Sequence, residues 1–148
     1  MELLNNRVKL TKWSDILSNH YQAYVNSQLT PYNLKFTEFI YLLNLYEGNG
    51  SPQEFLIKRT YTDKSAITRT LQSLEKKGFV TRKKNPLDKR INNVYLTEKS
   101  LSYKEDLNKI IDTWQDFLND CISREEYNEI ATALEDLTIK VLTKLGKI

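Results

Sequence analysis

A chain of 148 residues, 28% charged and 40% hydrophobic, has the size and balance of one soluble domain, and no apolar run in it approaches the roughly 20 residues of a membrane span. A single Cys and a single His exclude an intrachain disulfide and leave too few ligands for an ordinary zinc site, and four glycines in no phosphate-cradling pattern exclude a nucleotide-binding loop. The net charge is only +3, so attraction for a polyanion has to come from how charge is distributed along the chain.

The N-terminal MELLNNRVKLTKW lacks a signal-peptide core, which predicts a cytoplasmic protein. From about Arg7 to Leu29 a helical pattern carries Trp13, Ile16, Leu17, Tyr21 and Tyr24 on one stripe, and Pro31 breaks it. His20 falls within this pattern with no nucleophile or base paired to it, so the chain is read as having no enzymatic activity. Phe36 to Glu47 is dense in apolar residues and predicts a central buried helix, ended by Gly48-Asn49-Gly50. Ser51-Pro52-Gln53-Glu54 reads as a capping box with Pro at the first helical position, opening a short helix to about Arg59.

The next segment is the most informative. From Lys64 to Lys77, Ile67, Leu71 and Leu74 form a core-facing stripe, while Lys64, Ser65, Thr68, Arg69, Gln72 and Lys76 offer polar groups on the outer face. Thr62 or Asp63 caps the start and Gly78 the end. Phe79–Lys84 and Ile91–Leu96 predict a two-stranded wing around the turn residues Asn85-Pro86-Leu87-Asp88, with Arg82, Lys83, Lys84, Lys89 and Arg90 as its basic groups. Two short helices in tandem followed by such a hairpin make a winged helix-turn-helix.

Charge follows the same division. Asp63 to Arg90 holds nine basic and three acidic residues, whereas Glu98 to Asp136 holds eleven acidic and four basic ones. One region attracts polyanions and the other repels them, which points to oriented binding of nucleic acid. The acidic region contains two amphipathic helices. Leu107, Ile110, Ile111, Trp114, Phe117, Leu118 and Cys121 mark the first; a capping box at Ser123-Arg124-Glu125-Glu126 opens the second, striped by Tyr127, Ile130, Leu134, Leu137, Val141 and Leu145. A winged domain does not need both for its own core, so a second copy of the chain is the expected cover for their apolar faces. Cys121 lies on such a stripe and is expected to be packed and inert.

This order of elements resembles the MarR family of bacterial transcriptional regulators. The resemblance is carried most specifically by Asp63-Lys64-Ser65, Thr68-Arg69, Leu74-Glu75-Lys76-Lys77-Gly78, Asp88-Lys89-Arg90 and Leu96-Thr97-Glu98-Lys99. It implies a mainly α fold with a small β wing: residues 1–30 and 98–148 as dimerisation helices, and 31–97 as the DNA-binding region, all in one structural domain. By the same resemblance Ser65, Thr68 and Arg69 approach DNA in a major groove, Asp88 braces the wing, and Arg90 enters a minor groove. Arginine suits that role physically, because narrow A·T minor grooves concentrate negative potential.

The implied protein is a homodimeric repressor, or less often an activator, acting at a roughly palindromic double-stranded operator, with no cofactor, metal or membrane partner expected. In relatives a small aromatic or anionic ligand lodges between the dimer and DNA-binding regions; Trp13, Tyr24, Tyr32, Phe36 and Tyr41 are the aromatic candidates for such a pocket here. The sequence departs from the family at Lys35, where a capping Thr is usual, and at Ser100, where a glycine often follows. A different class, a winged module that binds an acidic protein surface or acts as an anti-regulator without DNA, would more often place apolar anchors on the outer face than this polar one.

Overall fold

The computed structural model describes residues 8–148. Its elements in chain order are α1 (Lys9–Leu29), a 3-10 turn (Thr30–Tyr32), α2 (Phe36–Glu47), α3 (Glu54–Thr60), α4 (Lys64–Lys76), β1 (Val80–Lys84), β2 (Asn92–Leu96), α5 (Glu98–Ser102), α6 (Lys104–Cys121) and α7 (Arg124–Lys144). The fold is mainly α with a small antiparallel wing, as expected. Arg7, the expected start of the first helix, lies outside the described residues.

Helix α2 is the hub. Its apolar run puts Phe39, Tyr41, Leu42 and Leu45 in the core, where they meet Val25 and Leu29 from α1, Leu56 from α3, Ile67, Leu71 and Leu74 from α4, and Leu107 and Ile110 from α6. Removing such surfaces from water at about 25 cal/mol per Å² is what holds the head together. Phe79, Val80, Val94 and Leu96 add the base of the wing to the same core. The wing register pairs Val80 with Leu96 and Lys84 with Asn92, so buried side chains gather at one end and the charged tip extends away from it.

The turns follow local chemistry. Pro31 ends α1, and Asn33 takes a left-handed conformation at φ 54° before α2 begins. Gly78 leaves α4 at φ +78°, the conformation that its position after Lys76 and Lys77 anticipates. Asp63 caps α4, its carboxylate accepting from the Ala66 N–H at 2.9 Å. At Gly48 a Cβ would stand 2.5 Å from the Phe55 ring, so α2 and α3 approach each other through an absent side chain.

One expected cap does not form. Ser51-Pro52-Gln53-Glu54 is instead a third rung against the wing: Gly50 N–H donates to the Val94 carbonyl, Val94 N–H to the Ser51 carbonyl, and Gln53 N–H to the Asn92 carbonyl. The Ser51 N–H, which a capping box would have given to Glu54, donates instead to the Gly48 carbonyl at 3.1 Å, and α3 starts at Glu54 with no side-chain cap. Helix α5 was likewise not anticipated; Thr97 caps it through the Ser100 N–H.

The two sequence departures also find explanations. The Lys35 N–H at the start of α2 donates to the Glu38 carboxylate at 2.8 Å, which replaces a cap on that side. Ser100 is fully buried, and its hydroxyl donates to the Phe79 carbonyl.

Helix α7 has no buried residue in the single chain, although its start is capped by the expected Ser123–Glu126 box. Cys121, expected to pack, is exposed at the end of α6, because the stripe it shares finds a partner surface within the chain only through Leu107, Ile110 and Trp114, before the helix end. Among the described residues no helix is long and apolar enough to cross a membrane.

Candidate nucleic-acid interface

Helix α4 displays its outer face as the spacing requires. Lys64, Ser65, Thr68, Arg69 and Gln72 line one shallow open depression, and Lys76 is exposed one turn farther along. Lys64, Arg69, Gln72 and Lys76 are exposed on that face. Ser65 and Thr68 are already oriented. The Ser65 hydroxyl donates to Asp63 at 2.6 Å, while Thr68 donates to the Lys64 carbonyl and accepts from Gln53 Nε2. Hydrogen bonds from the Ser65 hydroxyl and then the Ala66 N–H hold the Asp63 carboxyl below its ordinary range.

Two anchors hold the far end of α4. On one side Glu38, only 2% exposed, accepts from Lys77 Nζ at 2.7 Å, Ser73 Oγ at 2.6 Å and the Lys35 N–H. Burial pushes the Glu38 carboxyl up, but those hydrogen bonds together outweigh it and leave the group below its usual value. Lys77 also donates to the Asn33 carbonyl at 2.8 Å, which ties the end of α4 to the turn between α1 and α2. On the other side Lys99 Nζ donates to the Lys77 carbonyl, and Thr97 Oγ1 to that of Gly78, at 2.8 and 2.7 Å. The Leu96–Ser100 segment, identified in the sequence only by resemblance, therefore satisfies the carbonyls that the helix end exposes.

The wing is braced at its base and at its tip. Arg82 makes a forked contact with Glu75 of α4, with Nη2 to Oε2 at 2.7 Å and Nε to the same oxygen at 3.2 Å. Those hydrogen bonds hold the Glu75 carboxyl below its ordinary range. Arg82 is thus largely engaged inside the protein and joins wing to helix, in contrast to its grouping with the exposed wing cations. At the tip Asn85 Oδ1 accepts from the Leu87 and Asp88 N–H groups, an Asx turn. Asp88 then accepts from Arg90 Nε and Nη2, each at 3.0 Å, and from the Arg90 N–H; its carboxyl is lowered by that arginine. The Arg90 side chain is still 90% exposed. Lys84 and Lys89 are exposed, and Lys83 lies over the Tyr95 ring at 5.4 Å.

Between wing and helix runs a cleft of about 400 Å³ whose lining includes Gln53, Lys64, Thr68, Arg82, Arg90 and Asn92. Gln53 was not singled out in the sequence. Its only signal there was its place in a misread capping box.

The five aromatics expected to share an effector pocket are separated. Trp13 lines an apolar groove of about 630 Å³ with Leu17, Tyr21, Trp114, Ile130 and Leu134. Tyr24 stacks on Trp114 and Phe36 meets Tyr21 edge-on, which places both in the neighbouring aromatic cluster. Tyr32 packs against Tyr103, and Tyr41 is fully buried in the head. Helical spacing put Trp13 and Tyr24 on one side of α1 and the packing of α2 against it added Phe36, whereas Tyr32 and Tyr41 belong to other packing layers. Among the described residues no cluster of three or more His, Cys, Asp or Glu is arranged to hold a metal ion.

Fold and face together define a winged helix-turn-helix protein. The MarR family model matches residues 34–91, in agreement with the resemblance. A curated relative, the HTH-type transcriptional regulator BilQ of Clostridioides difficile (strain CD3), is 25% identical over 118 residues, covering 80% of each chain. A MarR transcriptional regulator from Methanosarcina mazei Go1 superposes with a TM-score of 0.76 at 27% identity, over 97% of this chain and 99% of that one. A mutant MarR from E. coli complexed with operator DNA shares the fold at TM-score 0.82 and 23% identity, over 93% and 99%.

Proposed function

We propose that this protein is a homodimeric, sequence-specific regulator of transcription that represses from a roughly palindromic operator. The observation that carries this reading is the outer face of α4, five polar side chains in one depression beside a braced basic wing. In that reading α4 enters a major groove, Arg69 and Gln72 meet base edges, and Arg90 with Lys89 approaches the adjacent minor groove. The pairing with Asp88 fixes where the Arg90 guanidinium points and leaves it accessible.

Dimerisation is supported by α7, whose exposed Ile130, Leu134 and Leu137 line a groove with Leu10, Trp13 and Leu17 of α1, and whose Val141 is exposed farther along. A helix of 21 residues with an apolar stripe and no buried residue calls for a cover, and a twofold copy supplies one. Two heads so joined would read half-sites about one helical turn, roughly 34 Å, apart. Release by a small aromatic or anionic ligand would act by changing that spacing; the five separated aromatics give such a ligand no common seat.

A mobility-shift titration with the DNA upstream of the protein's own gene, alongside a randomised duplex pool, tests the reading. A complex of two chains per duplex that weakens steeply with salt is the expected result. No complex with any duplex in dilute buffer would sink it.

A further inference from the structure

Gln53 sits where three elements meet. Its N–H donates to the Asn92 carbonyl at the base of the wing at 3.0 Å, its own carbonyl accepts from Leu56 N–H in α3, and its side-chain Nε2 donates to Thr68 Oγ1 of α4 at 2.8 Å. The Thr68 hydroxyl in turn donates to the Lys64 carbonyl at 2.9 Å. A hydroxyl has one proton and two lone pairs. With the proton committed to Lys64 and one lone pair to Gln53, Thr68 has one acceptor site and its methyl group left for an incoming partner. It lines both the outer depression of α4 and the cleft toward the wing, so these remaining groups face the proposed DNA.

We propose that Gln53 is a specificity-determining positioning residue, which holds the Thr68 hydroxyl as an acceptor so that the base pair facing Thr68 is selected as A·T. The inference rests on the DNA-binding reading above. In the major groove an A·T pair offers both groups that this Thr68 complements: the adenine amino donor for the free lone pair and the thymine methyl for the γ-methyl. A G·C pair puts the guanine O6 acceptor where adenine has its amino group, to which a hydroxyl without a spare proton gives nothing, and its cytosine, though it offers an amino donor, has no methyl. Freed from Gln53, the Thr68 side chain can turn about χ1, leave the Lys64 carbonyl and donate its proton to guanine as well.

Selection from randomised duplexes followed by anisotropy titration, using the full-length wild type, Gln53→Ala, Thr68→Val and the double variant, tests this. The wild type is expected to enrich A·T at one pair of each half-site. Gln53→Ala should flatten that preference by roughly five- to tenfold while keeping affinity for other positions' variants unchanged. Thr68→Val should lose the same preference, and adding Gln53→Ala to it should change nothing further at that pair. Gln53→Met, which keeps the bulk of the side chain without its amide, is expected to match Gln53→Ala and guards against a folding defect. A purely structural role would weaken all sequences alike. Retention of the A·T preference in both Gln53 variants, or additive effects at that pair, overturns the inference while DNA binding stands. A wild type that enriches no sequence overturns both.

Discussion

Three of the nine basic residues between Asp63 and Arg90 are paired inside the protein: Lys77 with Glu38, Arg82 with Glu75 and Arg90 with Asp88. Their contributions to DNA binding should differ accordingly. Arg69→Ala is expected to weaken operator binding by about 1 to 3 kcal/mol and to relax preference at a single position, read by anisotropy against a panel of single-base operator variants. Lys84→Ala should weaken all duplexes alike and lower the slope of log affinity against log salt by about one unit. Arg82→Ala should leave that slope nearly unchanged, because Glu75 already neutralises the guanidinium, while it loosens the wing. A slope change for Arg82→Ala as large as for Lys84→Ala would place its charge on the DNA.

At the scale of elements, the orientation of α4 is set from its ends. Its start relies on Asp63, and Asp63→Ala should lower the midpoint of a denaturant titration. Its exit relies on Glu38, whose removal leaves the Lys77 ammonium and Ser73 hydroxyl partly orphaned. Glu38→Ala should cost about 2 to 3 kcal/mol, seen as a lower denaturant midpoint. The same carboxylate shapes the acid limb of stability. Its folded value lies below the ordinary one near 4.5, so its stabilising contribution is complete above that pH and is lost as pH falls through the lower, folded value. Wild-type melting temperature should therefore drop below about pH 4.5, and Glu38→Gln should show a shallower acid decline from a lower plateau. An identical acid limb in that variant would remove Glu38 as its source.

For the whole molecule, the homodimer proposed above would assemble through the exposed stripe of α7 and the groove against α1. Leu134→Asp places a charge in that groove, and sedimentation equilibrium should show the twofold assembly shift to monomer. Operator affinity should fall by far more than the variant's intact head would explain, since two linked heads bind with an effective concentration that a lone head lacks. A Leu134→Asp protein that stays dimeric would move the interface elsewhere.

Much of this architecture was legible in the residues themselves. The spacing of Ile67, Leu71 and Leu74, the turn residues at Gly78 and Asn85-Pro86, and the Ser123–Glu126 box are local signals, each satisfied by atoms within a few positions of itself, and so the helix, the wing and the charge division can be read in order. What only the tertiary structure decided are the partnerships between distant segments. Ser51–Gln53 joins the wing in place of a cap because Asn92 and Val94 lie beside it; Lys77 and Arg82 turn inward because Glu38 and Glu75 wait there; and the aromatics divide among packing layers. The physical reason is that a residue's period reports which face it is on, whereas the group it meets there is contributed by a stretch of chain that no local pattern names.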